Sequence, residues 1–356
     1  MKIAFRVDSS FLIGSGHLMR CLALATELKN KGAKIIFICK DLPGNFNKLV
    51  SDKSIDLLTI DGPASKTISY DNHLQLDDAK KTCSILKDFQ PDLMIVDHYS
   101  FDHIWENRIK RLVPRIMVID DLADRQHECE ILLDQNDFNT DGSRYKDIVN
   151  ESCKLLLGPK YVMLRDEFKP NLAASYELPE IIKKILLFFS LGNDQGETLK
   201  AMRGILQSRN KYEVDVVIGH TNPDHRKIKE KCKLNQWGFH CEVDYMSKLM
   251  LNADIVIGGG GSTSWEKCFL GIPSISVILA SNQVEITNLL ASHGAVINLG
   301  WHDALVTESY SDILNKLDIQ ILNELSSQAS LLVDGKGIDR VIKSIFSISE
   351  GKKIWC

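Results

Sequence analysis

Short apolar, β-branched runs recur along this 356-residue chain, and most are followed by a stretch with helical periodicity. In the first half the runs cover 3–7, 35–39, 93–96, 116–119 and 131–133, with helix-period stretches near 18–31, 74–89 and 102–112. In the second half they cover 185–189, 214–218, 255–257 and 275–278, with helical stretches near 196–208, 224–236, 264–270, 284–293 and 308–327. Strand and helix alternating this often imposes parallel pairing, because a parallel strand needs a crossover and a helix supplies it. The runs are nearly unbroken, as strands are when both faces of a sheet are covered. The expected fold class is α/β with parallel sheets. At about 150 residues per domain the length implies two domains. The segment 169–179, KPNLAASYELP, has two prolines and little periodicity, and marks the boundary. The expected units are 1–169 and 178–345, with a tail over 346–356 whose GKKIWC end has no assignable role.

Composition removes several function classes. Forty-three Lys and Arg against 47 Asp and Glu give a net charge of −4, so no nucleic-acid partner is expected. Nine cysteines without a CxxC pair, and histidines without HxxxH or HExxH spacing, support neither a disulfide framework nor a zinc site. No metal and no cofactor are expected. Arg6 and Asp8 interrupt the apolar run at the start before it can serve as a signal-peptide core. No stretch approaches the ~18 apolar residues of a membrane span, so a soluble, cytoplasmic protein with no membrane partner is expected.

The most informative segment is RVDSSFLIGSGHLMR, residues 6–20. A strand runs into Asp8, a loop carries Gly14 and Gly16, and a helix starts near His17. Leu18, Cys21, Leu22, Ala25 and Leu28 form its apolar face. The glycines allow unusual dihedrals and a close ligand approach. His17 stands at the helix N-terminus, where a neutral imidazole can act as a general base, and Asp8 is the carboxylate expected beside it. Arg20 occupies the last slot of what would be GxGxxG, so a dinucleotide fingerprint is not met.

Residues 254–275 read DIVIGGGGSTSWEKCFLGIPSI. A strand, four glycines and a helix start make an anion site from backbone amides. Ser262 and Thr263 are expected to cap that helix or donate to phosphate, and Glu266 to accept from the vicinal hydroxyls of a ribose. No GK[ST] follows, so ATP hydrolysis is not expected. Two further loops follow strands, SLGND at 190–194 and ILASNQ at 278–283. The second carries Asn282 and Gln283, donors for a diphosphate or sugar. DHY at 97–99 ends another strand and suits substrate contact. Asp120–Asp121 and Asp134–Asn136 end the next two strands, where a hard cation is a minor alternative.

Together, RVDSSFLIGSGHLMRCLALA, IVDHY, LLLGPKYVMLRDEF, SLGND, GGGGSTSWEKCFLGIP and NQ resemble the PseG family of UDP-sugar hydrolases, in the family's order and over most of the chain. The glycine motif alone is shared more widely by MurG-like glycosyltransferases. The resemblance implies a GT-B fold, two Rossmann-like domains with parallel sheets facing a central cleft. It implies hydrolysis of UDP-2,4-diacetamido-2,4,6-trideoxy-β-L-altropyranose with anomeric inversion, in pseudaminic acid biosynthesis. In that frame His17 is the catalytic base, and Asp8, Gly14, Gly16, Tyr99, Arg165, Asn282 and Gln283 contact substrate. Gly192, Gly259, Gly260, Gly261, Ser262, Thr263 and Glu266 hold UDP. The SLGND loop departs from the family's double glycine, which places Asn193 near the diphosphate path. A small-molecule UDP-sugar is the expected partner, and a monomer the expected state. The alternatives are a GT-B glycosyltransferase using a UDP-sugar donor, a nucleotide-sugar-binding protein without turnover, and a UDP-sugar 2-epimerase.

Overall fold

The computed structural model describes residues 1–61, 72–136, 141–173, 176 and 179–350. Part of the 169–179 segment and the whole of GKKIWC, residues 351–356, therefore lie outside the described residues. The chain divides into two compact units, Met1–Arg165 together with the segment beginning at Lys336, and Asp166–Gly335. This corrects the expected division: the first unit ends at Arg165, and residues 336–345 belong to it rather than to the second.

The first unit is built on seven strands: β1 (Lys2–Val7), β2 (Lys34–Lys40), β3 (Asp56–Ile60), β4 (Leu93–Asp97), β5 (Ile116–Ile119), β6 (Ile131–Asp134) and β7 (Lys154–Leu157). They form one sheet in the order β3-β2-β1-β4-β5-β6-β7, with every pair parallel. Its helices are α1 (Gly16–Asn30), α2 (Lys48–Asp52), α3 (Asn72–Phe89) and α4 (His103–Ile109). Ile3, Phe5 and Val7 face one side and pack with Leu18, Cys21, Leu22 and Leu28 of α1. Ala4 faces the other side with Met94, Val96 and Trp105. The alternation along β1 thus sends odd and even residues into separate cores.

The second unit carries β8 (Lys184–Phe188), β9 (Glu213–Ile218), β10 (Gly238–Cys241), β11 (Ile255–Gly259), β12 (Ser274–Ile278) and β13 (Ile297–Trp301). Its all-parallel order is β10-β9-β8-β11-β12-β13. The helices are α5 (Glu197–Gln207), α6 (His225–Asn235), α7 (Met246–Leu251), α8 (Thr263–Leu270), α9 (Val284–Ser292), α10 (Thr307–Lys316) and α11 (Ile319–Ser330). The continuous helix expected over 308–327 is two helices, because Asp318 caps α11 by accepting from the Ile321 amide at 2.9 Å. The last helix, α12 (Gly337–Glu350), takes up residues assigned to the tail. Ile338, Val341, Ile342 and Ile345 enter the core shared with α1, at roughly 1.5–3 kcal/mol for each fully buried side chain.

In both sheets the strand order reverses beside one central pair, β1 and β4 in the first unit and β8 and β11 in the second. Ligands of open parallel sheets bind outside the carboxyl ends of strands at such switch points. No described helix is long and apolar enough to cross a membrane.

Candidate functional site

Two constellations lie at these switch points. In the first unit the turn after β1 is fixed by Ser10, whose carbonyl accepts from the Gly14 amide at 2.9 Å and whose Oγ accepts from the Leu12 and Ile13 amides. Gly14 has φ +77°, a conformation that glycine adopts without strain, while Gly16 is the first residue of α1. This turn brings His17 onto the first turn of α1, 8% exposed.

His17 Nδ1 lies 2.6 Å from Asp97 Oδ1. Arg20, one turn along α1, clamps the same carboxylate, Nε to Oδ2 at 2.6 Å and Nη2 to Oδ1 at 2.7 Å. Its Nη1 donates to Asp121 Oδ1 at 2.9 Å, and Asp121 also accepts from Tyr99 Oη at 3.2 Å and Asn136 Nδ2 at 3.0 Å. The Tyr99 ring stands edge-on to His17, with centroids 4.4 Å apart. Burial pushes the Asp97 carboxyl up, but Arg20 and then His17 outweigh it and hold the group well below the usual carboxylate range. An ionised Asp97 can only accept, so the ring N–H is assigned to Nδ1, donating to it, and the lone pair to Nε2. The arrangement is an imidazole oriented by a buried carboxylate, as a general base or acid requires.

Asp8 is not the carboxylate beside His17. Val7 and Asp97 are paired in register and share the face covered by α1, whereas Asp8 projects with Arg6 to the opposite face. There Arg6, wholly buried, bonds both Asp8 and Asp78. Asp8 also accepts from the Lys40 amide at 2.7 Å and faces His98 Nε2 at 3.2 Å. Burial raises the Asp8 carboxyl, and Arg6 and His98 more than reverse that. Burial likewise lowers the His98 imidazole, against the pull of Asp8. Asp8 and His98 thus belong to an interior ion cluster under the sheet, and the DHY segment divides between two faces. Asp120 and Asp134 are similarly engaged: Asp120 lies 3.0 Å from Arg125 Nη2, and Asp134 accepts from Tyr145 Oη at 2.8 Å. Burial and Asp121 push the Asp134 carboxyl up to about 7.

In the second unit the glycine run follows β11. None of its four residues has positive φ, so their need for glycine is space. A Cβ on Gly258 would lie 1.9 Å from the Phe188 carbonyl oxygen, and one on Gly260 2.1 Å from Thr287 Oγ1. Gly261 differs: a Cβ there would meet only Gln283 Nε2, at 3.6 Å. Ser262 precedes α8 in helical conformation without capping it through its side chain, which departs from the expected cap. The start of α8 therefore offers its amides and the exposed Ser262 to an anion. Thr287 Oγ1 and Ser264 Oγ are buried here without hydrogen-bond partners among the described residues. Glu266 is buried in the first turn of α8.

Gln283 Oε1 accepts from the Leu279 amide at 2.9 Å, and this fixes the β12–α9 turn beside Gly261; Asn282 in that turn is exposed. In the SLGND loop the Gly192 amide donates to Ser190 Oγ at 3.0 Å, Asn193 Oδ1 accepts from the Gln195 amide, and Asp194 accepts from Gly196 and Thr198. The loop is thus largely closed on itself and on α5. Arg165, half-buried, closes the first unit. The sequence reading missed Arg20 and Asp121 as the scaffold of His17. Their signal was an arginine one helical turn after the histidine and a carboxylate pair ending β5.

The profile described as Glycosyltransferase family 28 C-terminal domain matches residues 194–331. An uncharacterized protein of Methanocaldococcus jannaschii is 26% identical, over 99% of this chain and 68% of that protein. The UDP-2,4-diacetamido-2,4,6-trideoxy-beta-L-altropyranose hydrolase of Campylobacter jejuni is 26% identical over 83% of this chain and 97% of its own length. The spore coat polysaccharide biosynthesis protein SpsG of Bacillus subtilis is 24% identical over 54% of this chain and 58% of its own. Among solved structures, MurG of Acinetobacter baumannii superposes with a TM-score of 0.67 at 12% identity, covering 98% of this chain and all of that one. The spinosyn rhamnosyltransferase SpnG complexed with thymidine diphosphate gives 0.64 at 14%, over 97% and 100%. With two parallel-sheet α/β units in one chain, the protein has the GT-B fold of these glycosyltransferases.

Proposed function

We propose that the protein is an enzyme acting on a nucleotide sugar, and that it hydrolyses a UDP-linked diacetamido-trideoxyhexose of the kind named for the Campylobacter relative. The observation that carries this reading is the His17–Asp97 pair at the β1/β4 switch point, 2.6 Å apart. Transfer to a bulky acceptor hydroxyl or to water needs a base, and an imidazole oriented by a buried carboxylate is one. Water gives its proton to His17 Nε2 as its oxygen bonds the anomeric carbon. The bond from that carbon to the UDP oxygen breaks, and UDP leaves with the electron pair. Attack opposite the leaving group inverts the anomeric centre. Asp97 stabilises the imidazolium that forms, and Arg20 keeps Asp97 in place.

In this scheme the carboxy-terminal unit supplies preorganised donors for the diphosphate, namely the amides from Gly261 to the start of α8, with Ser262, Thr263 and Asn282. Gly259 and Gly260 let the loop close, and Glu266 takes the ribose. Tyr99 positions the sugar beside His17, with Arg165 and Gln283 as further substrate contacts. A panel of UDP-sugars incubated with purified protein and no acceptor tests the reading. Free UDP and an inverted free sugar by NMR are expected.

A second reading, a glycosyltransferase, draws on the match of residues 194–331 to a glycosyltransferase domain. It requires that UDP is released only when an acceptor is added.

A further inference from the structure

Away from both switch points, the outer strands of the second sheet bring two imidazoles and a thiol together. His220 follows β9, His225 opens α6, and Cys241 is the last residue of β10, which pairs with β9 in parallel. Cys241 Sγ lies 3.4 Å from His220 Nδ1 and 3.7 Å from His225 Nε2, and all three atoms fall within 4.8 Å of one another.

We infer that His220, His225 and Cys241 form a binding site for a divalent cation of the zinc class, with three protein ligands and a fourth position for water or a small ligand. The distances carry this. A tetrahedral ion with bonds of ~2.3 Å to sulfur and ~2.0–2.1 Å to nitrogen holds S and N ~3.6 Å apart. The two observed S···N distances fall on either side of that value. The donor set fits as well: one thiolate and two imidazoles suit zinc and exclude the hard, oxygen-seeking cations.

A carboxylate also stands near the second nitrogen of one of these rings. His220 would bind through Nδ1, and its other nitrogen, Nε2, faces Glu242 Oε2 at 3.7 Å. Glu242 Oε1 also accepts from the His220 amide at 3.1 Å, which ties the residue after Cys241 to the turn carrying His220. A carboxylate on that side of the ring adds negative charge for a bound dication and is near enough to hydrogen-bond the second nitrogen after a small side-chain rotation. Glu242 sits at φ +50°, in the left-handed region, and this bend follows directly on Cys241. Phe239 packs edge-on against the His225 ring at 5.4 Å, 88° between planes, which limits its rotation. Thiolate and Glu242 together balance a dication.

The competing account is a thiol that shares weak hydrogen bonds with two rings. Titration of the tag-free full chain with cobalt(II), in a non-thiol reductant, separates the two. The expected result is one equivalent bound per chain, with intense visible bands of tetrahedral cobalt and a thiolate-to-metal charge-transfer band, all displaced by zinc(II). Cys241→Ser is expected to lose the charge-transfer band and to weaken binding about tenfold or more, and His225→Ala to weaken it similarly. The thermal midpoint of each metal-free variant should match the parent, because all three side chains are at least partly exposed. Absence of saturable binding, octahedral spectra without charge transfer, or equal binding by the parent and the Cys241→Ser/His225→Ala double variant would overturn the inference.

Discussion

The loop after β1 and the loop after β11 border equivalent switch points, yet they are held by opposite means. The first rests on buried charge. Asp97 is 1% exposed beneath His17 and Arg20, and Arg6 is wholly enclosed between Asp8 and Asp78 on the other face of the same strands. The second rests on bare backbone. Gly258 and Gly260 let strands and Thr287 approach to distances that no side chain allows, and the start of α8 is left without a side-chain cap. A charge network fixes one side chain in one orientation, as proton transfer requires. Uncapped amides present several donors at once, as a diphosphate requires.

The sharpest way to break this contrast is His17→Asn. It is expected to lower kcat by ~10²–10⁴-fold while leaving UDP affinity unchanged, measured by UDP release and by calorimetry. Near-normal turnover would remove the first loop from the chemistry. Next is Arg6→Met, which removes the cation shared by buried Asp8 and Asp78, leaving Lys40 at 3.2 Å from Asp78, and should cost about 3–5 kcal/mol in denaturant unfolding. UDP affinity at low temperature should not change. The second loop responds differently to a single methyl group. Gly260→Ala places a Cβ against Thr287 and is expected to destabilise by roughly 1–3 kcal/mol. Gly261→Ala has room and should leave the thermal midpoint in place, while weakening UDP by about tenfold because the added methyl stands where the diphosphate must approach the amides. If both alanines behave alike, the division of labour among the glycines is wrong.

The smallest effect is on acid stability. Asp8 and Asp97 have folded pKa values below their unfolded ones, because Arg6 and Arg20 outweigh burial. Their contribution is complete above ~4 and is lost as pH falls further, since the unfolded state then binds more protons. Amide exchange in β1 and β4 should accelerate between pH 4 and 3 more than in β8 and β11.

The central strands were legible because residues such as 35–39 and 255–257 are apolar on both faces and leave no other reading. The edges were not. In β3 most side chains are exposed or half-exposed, and in β10 all four are intermediate, so neither shows an apolar run. Helix α12 did carry a signal, Ile338, Val341, Ile342 and Ile345 at helical spacing, hidden by assigning residues up to 345 to the second unit and the rest to a tail. At the site, His17 stood out by its glycine loop, but its partner did not. Asp8 is near in sequence, Asp97 distant, and the choice depends on which strand lies beside β1 and which face α1 covers. Parity along β1 supplies the second fact, since α1 packs on Ile3, Phe5 and Val7. Only the sheet order supplies the first.

The return of α12 to the first unit also has a bearing on how the protein is made. Residues 166–335 are contiguous and can close as soon as they emerge from the ribosome. The older half cannot: the core under β1 and α1 stays open to water until Ile338–Ile345 arrive, after the whole of the second unit has been made. A message truncated just before that point therefore yields a finished second unit tethered to a sticky, half-covered first one, the kind of species that chaperones hold and proteases clear.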